Sequence, residues 1–344
     1  MSEKAPDIRI VGNASETEKE DLHKEMVGYF GEHHLDSLTE GQRQQLEKGE
    51  LVKTPEEEEI IDLVNQKTNE LMRQSGVEPF DVPKNNYHFV PKDVYLKIKP
   101  PGAPGAAISF DRHQAAVFNA TYFRKSILEF ATTIFHETLH LKSRQVIQLN
   151  KVGIDLEIAT SRSGVKVHSS HKQNIEGDSH SHLDGLDEAI VSEYEKKFFN
   201  DVLQMPIFKD YRNWFLSEEV VKERKLIAKE HRIAEDEIFW KTKNSNNKCG
   251  FPYFYQRQVL NYVVSEIQND FSKDYVSKDK VLAEFLQACF TGRLMKIAHL
   301  VEDTFGEGSF RVLGDMDTND QNAIRNKEHM RIIRSRFKRK NETD

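Results

Sequence analysis

Residues 130–143 read FATTIFHETLHLKS, and no other stretch restricts the fold as tightly. The apolar positions Ile127, Leu128, Phe130, Ile134, Phe135, Leu139 and Leu141 surround a helical wheel instead of forming one stripe, which predicts a helix enclosed by protein on most sides. Into that helix the sequence sets His136, Glu137 and His140. Histidines four residues apart project from one helical face, so both imidazoles can reach a single ion, with the glutamate beside the first. Buried side chains of this kind carry a large desolvation cost unless a metal or close hydrogen-bond partners offset it. The H-E-x-x-H array is therefore expected to bind Zn2+ through His136 and His140, with Glu137 as the base for a zinc-held water. The plainer reading is a hydrogen-bonded histidine pair arising by chance in a chain with 14 histidines.

A catalytic zinc needs a third protein ligand and an open position. The metzincin arrangement would require a glycine at 143 and a histidine at 146, and the chain departs from it at both positions, with Ser143 and Val146. The other source is a carboxylate from a later helix, and LDEAIVSEY at 186–194 offers Glu188 and Glu193. Periodicity alone leaves that choice open, since Glu193 lies nearer the Leu186, Ala189 and Ile190 face. The intervening polar stretch holds His168, His171, His180 and His182, which are either incidental loop histidines or a rival source of ligands. His182, nearest the second helix, is the foremost of these and an alternative oxyanion donor.

These segments resemble the gluzincin peptidases, in which a glutamate of an (N/D/S)-E-(G/A)-hydrophobic helix follows H-E-x-x-H and binds zinc. Carried over by position, the resemblance implies Glu188 as third ligand, with Glu193 as a substitute or supporting group. From about 120 to 313 the order of active helix, hairpin, LDEA helix and helical part ending in HLVEDTFGEGSFRVL is similar to uncharacterised bacterial gluzincin-like proteins. The gap from His140 to Glu188 is longer than in compact gluzincins, and the first hundred or so residues have no counterpart. The resemblance implies an α+β fold with a zincin-like core of small sheet, active helix and glutamate helix. It also implies zinc-dependent hydrolysis of a peptide or protein substrate. The oxyanion donor is open among Tyr194, His182 and Tyr122. The alternatives are a zinc-binding interaction or regulatory module without proteolysis and a hydrolase of a non-peptide amide; retention of Glu137 favours catalysis, because a structural zinc needs no base.

The rest of the chain frames this centre. Its 344 residues, 38% hydrophobic and 31% charged, suit a globular protein with a substantial core. The absence of a long apolar run and of a signal-like N-terminus, with only Cys249 and Cys289, predicts a cytoplasmic protein without a membrane span. A formal charge of -7 argues against broad nucleic-acid binding. Four regions are expected: a helical N-terminal region (1–85), the zincin-like core (86–200), a helical C-terminal subdomain (201–315) and a basic tail (316–344), the last read as a solvated helix. Thr54-Pro55-Glu56 reads as a helix cap and first turn. HFV, VYLKI, AAISF and AAVFNATYF read as strands before an active helix over 124–148, with a hairpin turning near 161–164 and a second helix from 186 to about 199. AAVFNATYF is either a core strand or an edge to which an extended peptide adds. The FPYFY cluster at 251–255 is either core or the lining of a substrate pocket.

Overall fold

The computed structural model describes residues 7–30, 39–99, 107–110, 115–124, 126–170, 179–240 and 248–341. The chain opens with strand β1 (Ile8–Val11) and helices α1 (Glu16–Gly28), α2 (Glu40–Gly49) and α3 (Pro55–Gln74). The cap at Thr54 is present: its side chain accepts from the Glu57 amide, and the Glu57 carboxylate accepts from the Thr54 amide at 2.7 Å. A three-stranded sheet follows, formed by β2 (Tyr87–Val90), β3 (Ala107–Phe110) and β4 (Ala115–Asn119) in the order β2-β4-β3. VYLKI, expected as a strand, lies instead in α4 (Lys92–Ile98), because burial of Val94, Tyr95 and Ile98 follows one helical face. Strand β4 pairs with β2 on one side and β3 on the other, so both of its edges are taken and it offers none to an added peptide strand.

The short helix α5 (Ala120–Phe123) leads into α6 (Ile127–Lys142), whose first turn is capped by Ser126 accepting from the Glu129 amide. The helix ends six residues before the expected 148. Ser143 donates back to the Leu139 carbonyl, and from Gln145 onward burial alternates residue by residue, the period of a strand with one covered face. That strand, β5 (Gln145–Val152), pairs with β6 (Asp155–Ser163), then β7 (Lys166–Ser170) and β8 (Ser179–His182), all antiparallel. The expected hairpin turns at Gly164, with a second turn at Gly153. Strand β1 joins the far side of β5 in parallel, which brings the start of the chain onto this five-stranded sheet.

The remainder is mostly helical: α7 (Asp184–Val202), α8 (Lys209–Phe215), α9 (Glu218–His231), the small β9 (Ile238–Trp240) and β10 (Lys248–Gly250) ribbon, then α10 (Phe254–Asp270), α11 (Lys278–Thr291), α12 (Leu294–Phe305), α13 (Ser309–Gly314) and α14 (Asp320–Asn341). The architecture is α+β. One apolar core runs from Ile60 in α3 through α6 and α7 to Met330 in α14. Helix α6 is enclosed as its sequence predicts. Tyr87 meets Thr138 at 2.8 Å, Phe135 stacks on Phe198 of α7 at 4.2 Å, and Lys142 donates to Asn69 of α3 at 2.7 Å. The basic C-terminal stretch is not a solvated tail. Helix α14 packs along α10, burying Ala323 and Met330, and the nearly buried Arg334 reaches Glu266 and Asp270. Among the described residues no helix is long and apolar enough to cross a membrane.

Candidate metal centre

Helix α7 packs against α6, and three of its acids face the two histidines. Glu188 and Glu195 are seven residues apart, two turns along one face, and Asp187 precedes the first. The His136 Nε2 and His140 Nε2 atoms are 3.2 Å apart, and Glu188 Oε2 lies 3.2 Å from the first and 3.5 Å from the second. A tetrahedral zinc with bonds of about 2.0–2.1 Å has ligand-to-ligand edges of about 3.3–3.4 Å, so this triangle has the dimensions of one face of that tetrahedron. The remaining ring nitrogens are turned to carboxylates: His136 Nδ1 to Glu195 at 3.0 Å and His140 Nδ1 to Asp187 at 3.2 Å. That arrangement directs both Nε2 lone pairs inward, as metal-binding histidines backed by acids require. Both imidazoles are buried and Glu188 is half-buried, and the three residues form a group able to hold a metal ion.

The electrostatics of the group favour a cation. Burial alone would push the His136 imidazole down, but hydrogen bonds with Glu188 and Glu195 reverse this and hold it at about 10. His140 is likewise raised against its burial by Glu188 and Asp187. Glu188, which burial would push up, is held well below the usual carboxylate range by the two imidazoles. Positive charge is thus demanded at the Nε2 face, whether protons or a metal supply it.

Two tyrosines complete the surroundings. Tyr253, just before α10, stacks on the His136 ring with centroids 6.1 Å apart. The Glu188 charge, then burial, then the Glu137 charge push its phenol far above the usual range, and its hydroxyl donates to Glu188. It is a protonated donor at neutral pH. Glu137 is buried on α6, and its charge also reaches Tyr95 of α4, where burial followed by that charge raises the phenol. The Tyr253 backbone is left-handed, at φ 53°, a conformation a side chain adopts at some cost. Arg257 holds it there. This arginine, 1% exposed, donates its amide to the Tyr253 carbonyl at 2.9 Å and its Nε to the Pro252 carbonyl at 3.0 Å.

The same arginine accounts for Glu193. That carboxylate accepts from Arg257 at 3.1 Å and from Asn261 at 2.7 Å, so it ties α7 to α10 and is turned away from the histidines. Glu237 completes the cluster, paired with Arg257 and, at 2.6 Å, with Lys196. Tyr194 faces elsewhere too, lining a cavity with Leu71 of α3 and Asp279 of α11 under the Lys197 ammonium. His182 is exposed, 3.9 Å from Asp315, and His168 pairs across β7 and β8 with Ser181; neither joins the ligand group. His171 and the side chains of His180 and Tyr122 lie outside the described residues.

The sequence thus points to the three side chains that converge, His136, His140 and Glu188, and does not single out Asp187, Glu195 or Tyr253 beside them. The seven-residue spacing of Glu188 and Glu195 was a usable signal; for Tyr253 there was only its place in the FPYFY cluster. Comparison with protein-family models, curated proteins and solved structures returns no match.

Proposed function

We propose that the protein is a zinc-dependent peptide hydrolase of gluzincin type, with α6 and α7 as the helices of a zincin-like core. One observation carries this reading: three converging donor atoms at tetrahedral spacing, two of them on buried imidazoles each backed by its own carboxylate. In this reading His136, His140 and Glu188 hold the ion. Zinc held there would supply Lewis acidity toward a water and the scissile carbonyl. Glu137 is the base that would take a proton from the attacking water and pass it to the leaving amine. Tyr253, kept protonated by the acids around it, donates to the oxyanion that develops on the substrate carbonyl. Glu195 and Asp187 fix the imidazole orientation throughout.

The test is a peptide-library digest joined to metal analysis. Wild type should cut peptides; Glu137→Gln should retain zinc and lose cleavage. Tyr253→Phe should retain zinc and lose roughly 10²–10³-fold in kcat. A wild type that binds zinc and cuts nothing would replace this reading with that of a zinc-dependent binding module.

A further inference from the structure

Two sequence features, the FPYFY cluster and the basic C-terminal stretch, meet in one place away from the ligands. Phe254, Tyr255 and Gln258 at the start of α10 and Lys327, Glu328 and Arg331 of α14 line a cavity of about 490 Å³, with Arg232 at its margin. That volume is ordinary for a site that takes a small ligand or one side chain. Three cations face it against one carboxylate.

The cations are poorly compensated. Lys327 Nζ has a neutral partner, Gln258, at 3.0 Å; burial and then the Arg331 charge lower its pKa. Arg331 meets Glu328 at 3.6 Å and lies over the Tyr262 ring at 5.7 Å. The cavity between α3, α7 and α11 makes the contrast: its Lys67 and Lys197 are paired with Glu70 and Asp279 at 3.1 and 2.5 Å, and it presents no surplus charge.

One wall of the basic cavity continues a segment that touches the candidate metal centre, and the other a segment bonded to the first turn of α7. Phe254 directly follows Tyr253, which stacks on His136. On the other side, the Met316 carbonyl accepts from the Gly185 amide at 2.9 Å, three residues before Glu188, and the chain then enters α14. Gln256 joins the walls by donating to the Asp317 carbonyl at 3.2 Å.

We infer that this cavity is a subsite for a carboxylate of the peptide substrate, either an acidic side chain or a free C-terminus. The aromatic pair Phe254 and Tyr255 gives the bound residue an apolar wall, while Lys327, Arg331 and Arg232 supply the charge. The assignment rests on the peptidase reading for its substrate class, and the test separates the two.

The full-length, zinc-loaded Glu137→Gln protein is titrated with labelled peptides of one length by fluorescence anisotropy. One series is neutral and amidated, one carries a single glutamate moved through each position, and one has a free C-terminal carboxylate. At least one carboxylate-bearing peptide should bind roughly tenfold tighter than its neutral counterpart. The charged series it belongs to identifies the source. The advantage should vanish in Lys327→Met and shrink in the exposed Arg232→Met, with zinc content unchanged, and persist in Lys67→Met at the other cavity. Equal binding of charged and neutral peptides, or an advantage that survives Lys327→Met and Arg232→Met, overturns the subsite. If wild type cuts no peptide while the binding preference holds, the peptidase reading falls and the subsite stands; cleavage without any preference gives the reverse.

Discussion

His136 Nδ1 lies 3.0 Å from the Glu195 carboxylate, two helical turns from the glutamate that approaches the other nitrogen of the same ring. One face of α7 thus supplies both a donor atom to the centre and the group that aims a neighbouring donor. Glu195→Gln keeps the side-chain shape and removes the charge. Zinc affinity should fall about 10- to 100-fold with little change in melting temperature, measured by competition against a chelator of known strength. An unchanged affinity would make Glu195 a bystander.

Gly164 connects the β6–β7 turn to the same centre. It has φ +61°, and a Cβ there would sit 2.7 Å from Asp187 Oδ1, the acid behind His140. Gly164→Ala should cost about 1–2 kcal/mol from the backbone alone and should also weaken zinc binding by displacing Asp187. Gly153→Ala is the control: φ is +67° with open space around it, so stability should drop while zinc affinity holds. Equal zinc affinity in both variants would disconnect the turn from the centre.

Arg257 joins Glu193, Glu237 and the Pro252–Tyr253 turn in one buried cluster. Arg257→Met leaves Glu193 without its cation and Glu237 with Lys196 alone, and removing one partner of a buried pair typically costs about 3–5 kcal/mol. Chemical denaturation should register that loss, whereas Glu193→Gln, which preserves hydrogen bonding, should cost far less. Comparable losses in the two would show that the cluster is not organised around the arginine.

Glu129, one face along α6, is pushed up to about 8 by burial and then by the Glu195 charge, from an ordinary value of 4.5. Between those two pH values the folded protein holds a proton that the unfolded chain has released. Stability from this group is therefore retained below the lower value and lost as pH rises through the upper one. Glu129→Gln should match wild type near pH 4.5 and exceed it above pH 8, by on the order of 1 kcal/mol once solvent screening is allowed for. Melting curves across that range check it; a difference independent of pH would contradict it.

The sequence made helix α6 legible because all-round apolarity with three ionisable insertions has few physical solutions. It made Glu188 a candidate by position but could not exclude Glu193, since that decision lies with Arg257 and Asn261 on α10, more than sixty residues later. The end of α6 was misjudged for a related reason: Val146 and Leu149 continue a helical pattern as well as a strand pattern, and only pairing with β1 and β6 decides between them. VYLKI carried strand-forming residues yet folded as α4, where burial of Tyr95 outweighs local preference. The docking of α14 was hidden by its charge, because Arg334 is buried among partners on other helices, Glu266 and Asp270 on α10 and Thr304 on α12.

Anomalous diffraction at the zinc edge, from crystals of the zinc-loaded protein, tests the centre most directly. The account predicts a single strong peak about 2.0–2.2 Å from His136 Nε2, His140 Nε2 and a Glu188 carboxylate oxygen, absent in Glu188→Ala. A peak held by the histidines of 168–182, or none near α6, would contradict it.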